Sequence, residues 1–156
     1  MELKKSEFGR YLDDFEEGMV IKHWPGKTIT ESDNNLFSLL TMNHHPVHLD
    51  QHYAKSAIHG KVLVVGTLVF SLAVGLTVRD ISGRAIANLN YSEIIHLAPV
   101  FIGDTIYAES TIVSKRESRS KPDRGIVKVN TVVTNHKGEQ VLSFFREVLL
   151  PKRVQV

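Results

Sequence analysis

VLVVGTLVFSLAVGLTV, Val62 to Val78, runs seventeen residues without a charge, and the fold turns on how it is read. A membrane span needs about 20 predominantly apolar residues, and this run falls short. Gly66, Thr67, Ser71, Gly75 and Thr77 dilute it, and neither basic clusters nor aromatic belts flank it. A helix apolar on all sides can instead be the buried centre of a soluble protein. The expected helix runs from about Gly66 to Val78, and the rest of the chain must enclose it.

The texture changes after Gly83. AIANLNYSEI, DTIYAESTIVSKRES, GIVKVNTVVTNH and QVLSFFREVLL show two-residue alternation rich in β-branched residues, the mark of strands. Turn signals separate them: Pro99 with Gly103-Asp104, then Pro122-Asp123-Arg124-Gly125, then Lys137-Gly138. The last two read as hairpins. With a short strand over Met19 to Trp24, ended by Pro25-Gly26, the expectation is an α+β domain: about five antiparallel strands curved around one apolar helix.

Between the first strand and the central helix lies a helical region. Thr30 is placed to cap a helix, with Glu31 and Asp33 in the first turn, where the helix dipole favours acids. Apolar residues at 36, 37, 39, 40 and 42 predict its packing side. Pro46 forbids its continuation and leaves the following histidines in a loop. Asp50 can cap a second short helix, QHYAKSA, ended by His59-Gly60.

The 156 residues fit one domain spanning 1–156, with residues 1–10 expected to be a flexible start. Apolar residues make up 42% and charged residues 23%, a globular balance. The net charge of +2 gives no case for nucleic acid. Cysteine is absent, which excludes disulfides, zinc–thiolate sites and cysteine nucleophiles. The charged N-terminus lacks the apolar core of a signal peptide. Together these predict a cytoplasmic protein with no membrane partner.

MNHHPVHLD, Met42 to Asp50, is the chemical focus. Three readings compete. His44, His48 and His52 have the i,i+4 spacing of metal ligands, but Pro46 breaks the first helical pair and no glutamate completes the usual zinc motif. The cluster can be a polar surface loop. It can also be an acid–base centre, because histidine titrates near neutrality. In that case the unpaired N–H groups of a helix beginning near Gly66 would hold a developing oxyanion.

From Tyr11 onward the chain resembles the MaoC-like dehydratases, hot-dog proteins related to (R)-specific enoyl-CoA hydratases. Their hydratase motif, approximately D-x-N-P-[LIV]-H, is matched by NHHPVHLD, Asn43 to Asp50. The start of their central helix is matched by VGTL, Val65 to Leu68, and their late turn by APVFIGDT, Ala98 to Thr105. LFSLLTMN, ANLNYSE, YAESTIVSKRESRS and FFREVLLPKR are most similar to the mesaconyl-CoA hydratase, or β-methylmalyl-CoA dehydratase, subgroup.

The resemblance implies a hot-dog fold, reversible hydration of an enoyl-CoA thioester, no cofactor beyond the CoA of the substrate, and no metal. It implies at least a homodimer, consistent with the sheet edges a single unit would expose. Carried across by position, His48 is the main acid/base and Gly66 supplies the oxyanion N–H. Two positions depart from the pattern. Asn43 stands where the family has its catalytic aspartate, and His45 where it has an asparagine. Asn43 cannot accept and return a proton; it or His45 would orient water. The strip KRESRSKPDR, Lys115 to Arg124, is either a solvated hairpin tip or a site for CoA phosphates through Lys115, Arg116 and Arg119. A thioesterase and a non-catalytic acyl-CoA-binding protein are the competing functions.

Overall fold

The computed structural model describes residues 1–154. Six strands form one antiparallel sheet: β1 (Val20–Lys22), β2 (Lys27–Thr28), β3 (Ala87–His96), β4 (Thr105–Glu117), β5 (Arg124–Asn135) and β6 (Gln140–Pro151). The order across the sheet is β1-β4-β5-β6-β3, and β2 also lies on the outer edge of β4. The helices are α1 (Glu31–Leu40), α2 (Pro46–Leu49), α3 (Gln51–Ser56) and α4 (Gly66–Thr77). The sheet wraps α4 in the expected hot-dog arrangement. No helix among the described residues is long and apolar enough to cross a membrane.

The alternation in β5 and β6 is observed almost residue for residue, with every second side chain buried. These inward residues divide the core in two. Val64, Val65, Leu68, Val69 and Ala73 pack on Ile106, Ala108, Val133, Val141, Leu142 and Phe144 at the end where α4 begins. Leu12, Phe15, Ile21, Ile81, Ile112, Val127, Val129, Val148 and Leu150 fill the other end. β3 does not alternate: its residues are exposed almost throughout, because it is an edge strand, and its pairing with β6 shifts register at Asn88/Asn90 and Ser92/Ile95.

Polar anchors fix α4 at both ends. At its start, the side chain of the fully buried Asn34 accepts from Val65 N (3.0 Å). Past its end, a widened turn over Val78–Ser82 carries Asp80, which accepts from His23 Nδ1 (2.8 Å). His23 Nε2 meets Ser110 Oγ, which meets Thr131 Oγ1, each at 2.8 Å. Arg146, buried in β6, donates to Thr77 Oγ1 (2.6 Å) at the helix C-terminus, the end that favours a cation.

Four expectations need correction. The strand ended by Pro25-Gly26 has a sequel, β2, too short to show a period. α1 ends at Leu40, and of its expected packing side only Phe37 meets the core: Leu36, Leu39, Leu40 and Met42 are exposed, while Asn34 and Ser38 are buried. Asn34 must face inward because it serves three backbone groups. The histidines do not lie in one loop. Pro46 stops the first helix but starts another, α2, since its missing N–H costs nothing at a first helical position. The sheet encloses α4 on one side only, and Thr67, Ser71 and Gly75 stay exposed. Gly9 N donates to Arg79 O (3.0 Å).

Candidate active site

The expected caps form as read. Thr30 Oγ1 accepts from Asp33 N while Asp33 returns the bond to Thr30 N. Asp50 accepts from Tyr53 N (2.9 Å) and starts α3. Between them, Met42 turns the chain with a positive φ of 58°, and α2 brings His48 inward.

His48 is half-buried, and its Nδ1 lies 2.7 Å from Leu63 O. A carbonyl only accepts, so Nδ1 carries the proton. In the neutral ring Nε2 is then a free lone pair, the form a general base requires. Asn34 fixes this arrangement through both ends of its amide. Its Nδ2 donates to His48 O (3.0 Å) and Leu63 O (3.4 Å), while its Oδ1 holds Val65 N. One side chain therefore joins the backbone of the base to the first turn of α4. Asn34 carries no motif in the sequence; its i,i+4 partnership with Ser38 on a buried face was the available signal.

His45 is placed differently. Its Nδ1 accepts from Val47 N (3.1 Å) and caps α2. A neutral His45 must then carry its proton on Nε2, which makes it a donor and not a base. Its ring stands edge-on to His48, 5.9 Å between centroids, and to Tyr53. Asn43 is half-buried; its Oδ1 makes only a long contact to His45 N (3.4 Å).

Gly66 opens α4, so its N–H belongs to the first helical turn, where amides lack intrahelical acceptors. The late turn holds this region in place. Val64 N donates to Val100 O (2.9 Å), Leu63 bridges to Phe101, and Gly103 N donates to Ile29 O (2.8 Å) with a φ of 92° that suits glycine. A cleft of about 340 Å³ opens beside the helix start, lined by Leu63, Gly66, Val69, His96, Ala98 and His59. Around its rim a second hollow carries Lys55 and Lys61, the latter 4.0 Å above the Phe101 ring.

The structure thus brings His48, His45, Asn43 and Gly66 to one end of the molecule. It does not bring Lys115, Arg116 or Arg119 there within one chain. β4 starts beside Ile29 and the late turn, and Lys115 comes ten residues further along it, about 33 Å at strand rise. Lys115 Nζ is also tied to Phe15 O (2.9 Å).

One further polar chain resembles catalytic machinery. Asp80, His23 and Ser110 have the connectivity of a serine-hydrolase triad. Ser110, however, is fully enclosed and its hydroxyl is engaged by Thr131, so no substrate carbonyl can reach it. Burial pushes the His23 pKa down, and Asp80 opposes that only in part. The chain is a structural pin.

A family model described as MaoC like domain matches residues 14–137. The chain belongs to the MaoC-like family. Over 149 residues it is 36% identical to a mesaconyl-CoA hydratase of Cereibacter sphaeroides, covering 96% of this chain but 43% of that protein. It therefore spans less than half the length of that relative. An (R)-specific enoyl-CoA hydratase of Rhodospirillum rubrum is 29% identical over 143 residues, covering 92% of this chain and 93% of the relative. The crystal structure of a MaoC domain dehydratase from Chloroflexus aurantiacus superposes with a TM-score of 0.91 at 33% identity, over 97% of this chain and 43% of that one. NHHPVHLD and VGTL both lie within the matched residues.

Proposed function

We propose that this chain catalyses reversible hydration of an enoyl-CoA thioester, a hydro-lyase reaction, with His48 as the single acid/base. The observation that carries the reading is the lock on His48. Leu63 O fixes the Nδ1 tautomer two residues before the Val65 N–H that Asn34 caps, so the free Nε2 and the helix start are set by one short segment. The names of the hydratase relatives support the reaction class.

In the forward direction His48 Nε2 takes a proton from water as its oxygen bonds to Cβ. The double-bond electrons move onto the thioester oxygen, held by the Gly66 N–H. The enolate then collapses, and Cα takes a proton back from the His48 imidazolium. Asn43 and the Nε2–H of His45 are suited to orienting the water, since neither accepts a proton here. The phosphates of CoA fall to Lys55 and Lys61 at the rim, in place of the distant strip at Lys115, Arg116 and Arg119. β3 leaves one side unpaired and exposes Leu89, Tyr91, Ile94, Ile95 and Leu97; a second copy of the chain would cover it.

The replacement of the family's aspartate by Asn43 favours one other reading, a protein that binds acyl-CoA without turnover. Purified protein is to be assayed against crotonyl-CoA, longer enoyl-CoAs and mesaconyl-CoA by loss of enoyl absorbance, with a thiol reagent present in parallel samples. Hydration without thiol release is expected. Thiol release would make it a thioesterase, and binding with no change in either signal would make it a carrier or sensor.

A further inference from the structure

The amide at Gly66 offers a thioester oxygen one hydrogen bond, while an enolate oxygen has capacity for more. The Cβ position of Gly66 faces the side chain of His96. A Cβ added there would lie 2.9 Å from Cε1 and 3.0 Å from Nε2 of His96, closer than ordinary contact. The Cε1 corner of the imidazole therefore stands over the Cβ position of Gly66, with Nε2 nearer than Nδ1, which lies at 3.4 Å. His96 is the last residue of β3, and the pairing of Ile95 and His96 with Ser143 and Leu142 follows the register shift after Ser92. His96 lines the same cleft as Gly66, and among the described residues no protein group bonds either of its ring nitrogens. The remaining lining is largely apolar, so a donor here acts with little competition from neighbouring polar groups.

We propose that His96 is the second oxyanion donor, its Nε2–H joining the Gly66 N–H on the thioester oxygen. The assignment rests on the hydration reading and adds a side chain that acts on the substrate oxygen to a site otherwise made of backbone. It also gives a reason for glycine at position 66: any side chain there displaces the imidazole. His59, the other titratable side chain lining the cleft, stacks edge-on to Phe101 at 5.5 Å and is not among the nearest atoms to the Cβ position of Gly66.

The test uses acetoacetyl-CoA, whose enolate absorbs in the ultraviolet while its keto form does not at the same wavelength. Wild type, His96→Gln and His96→Leu are each saturated with it at one pH, and the bound enolate-to-keto ratio is read alongside total binding. A second donor predicts a ratio about tenfold or more lower in His96→Leu, with the ratio largely restored in His96→Gln, and a fall in kcat for enoyl-CoA hydration of about a hundredfold. If His96 only fills space over Gly66, leucine keeps the ratio, and the assignment is overturned while hydration by the wild type stands. If the wild type hydrates no enoyl thioester yet shows the His96-dependent ratio, the donor stands and the hydratase reading falls. Failure to bind acetoacetyl-CoA at all overturns the donor assignment, while the enoyl-CoA assay alone decides the hydratase reading.

Discussion

Replacing Asn34 with alanine isolates the link between fold and chemistry. The side chain is fully buried and holds three backbone groups: Val65 N at 3.0 Å, His48 O at 3.0 Å and Leu63 O at 3.4 Å. Leu63 O keeps its bond from His48 Nδ1 when the amide is lost, so that loss is partly compensated. Val65 N–H and His48 O are not compensated, and each buried orphan costs about 1–3 kcal/mol. The small cavity left behind adds to this. Asn34→Ala should therefore lose about 3–5 kcal/mol in urea unfolding, read as a lower midpoint at unchanged slope. The protein that remains folded should lose about a hundredfold in kcat, because the base and the helix start are no longer held together. Asn34→Asp separates the two effects. It keeps an acceptor for Val65 N but sets a carboxylate against two carbonyl oxygens, and should be as destabilised as the alanine variant. An Asn34→Ala protein within about 0.5 kcal/mol of wild type, with kcat intact, would refute the reasoning.

Further consequences are equally direct. His23 is kept neutral by burial, its pKa lowered from 6.5. Below that value the unfolded chain binds a proton that the folded chain refuses, so the contribution of His23 is full at higher pH and declines as pH falls through 6.5. His23→Gln should flatten the fall in unfolding free energy between about pH 8 and pH 5.5; identical slopes would show that His23 titrates normally in the fold. Gly66→Ala should lower kcat by about a hundredfold with little change in unfolding midpoint, because the new methyl meets an exposed imidazole rather than the core. Lys55→Ala with Lys61→Ala should raise KM for CoA esters several-fold more than for pantetheine esters, and Arg116→Ala with Arg119→Ala should not; the reverse pattern would return the phosphate site to the far hairpin.

The strand-rich half of the fold was legible because β5 and β6 are buried on one face and solvated on the other, which writes a period of two into the chain. α4 was legible because an uncharged run too short and too diluted to span a membrane belongs in a core. α1 was misjudged in orientation. Apart from Phe37, its apolar residues point outward, and a polar residue, Asn34, occupies the inner face because three backbone groups there need partners. His48 and Gly66 were singled out through family motifs, and their roles here are part of the proposal. His96 and Asn34 escaped for a different reason: each meets its partner about thirty residues away. The place of the basic strip was not legible, because sequence shows that a hairpin exists but not at which end of the sheet it lies.

The central claim is that one imidazole, without a carboxylate partner, carries both proton transfers. Steady-state hydration by wild type, His48→Gln and Asn43→Ala on whichever enoyl-CoA the wild type turns over tests it most directly. The account predicts a loss of about 10³-fold in kcat for His48→Gln and no more than about tenfold for Asn43→Ala. A His48→Gln enzyme within tenfold of wild type, or an Asn43→Ala enzyme as impaired as His48→Gln, would contradict it.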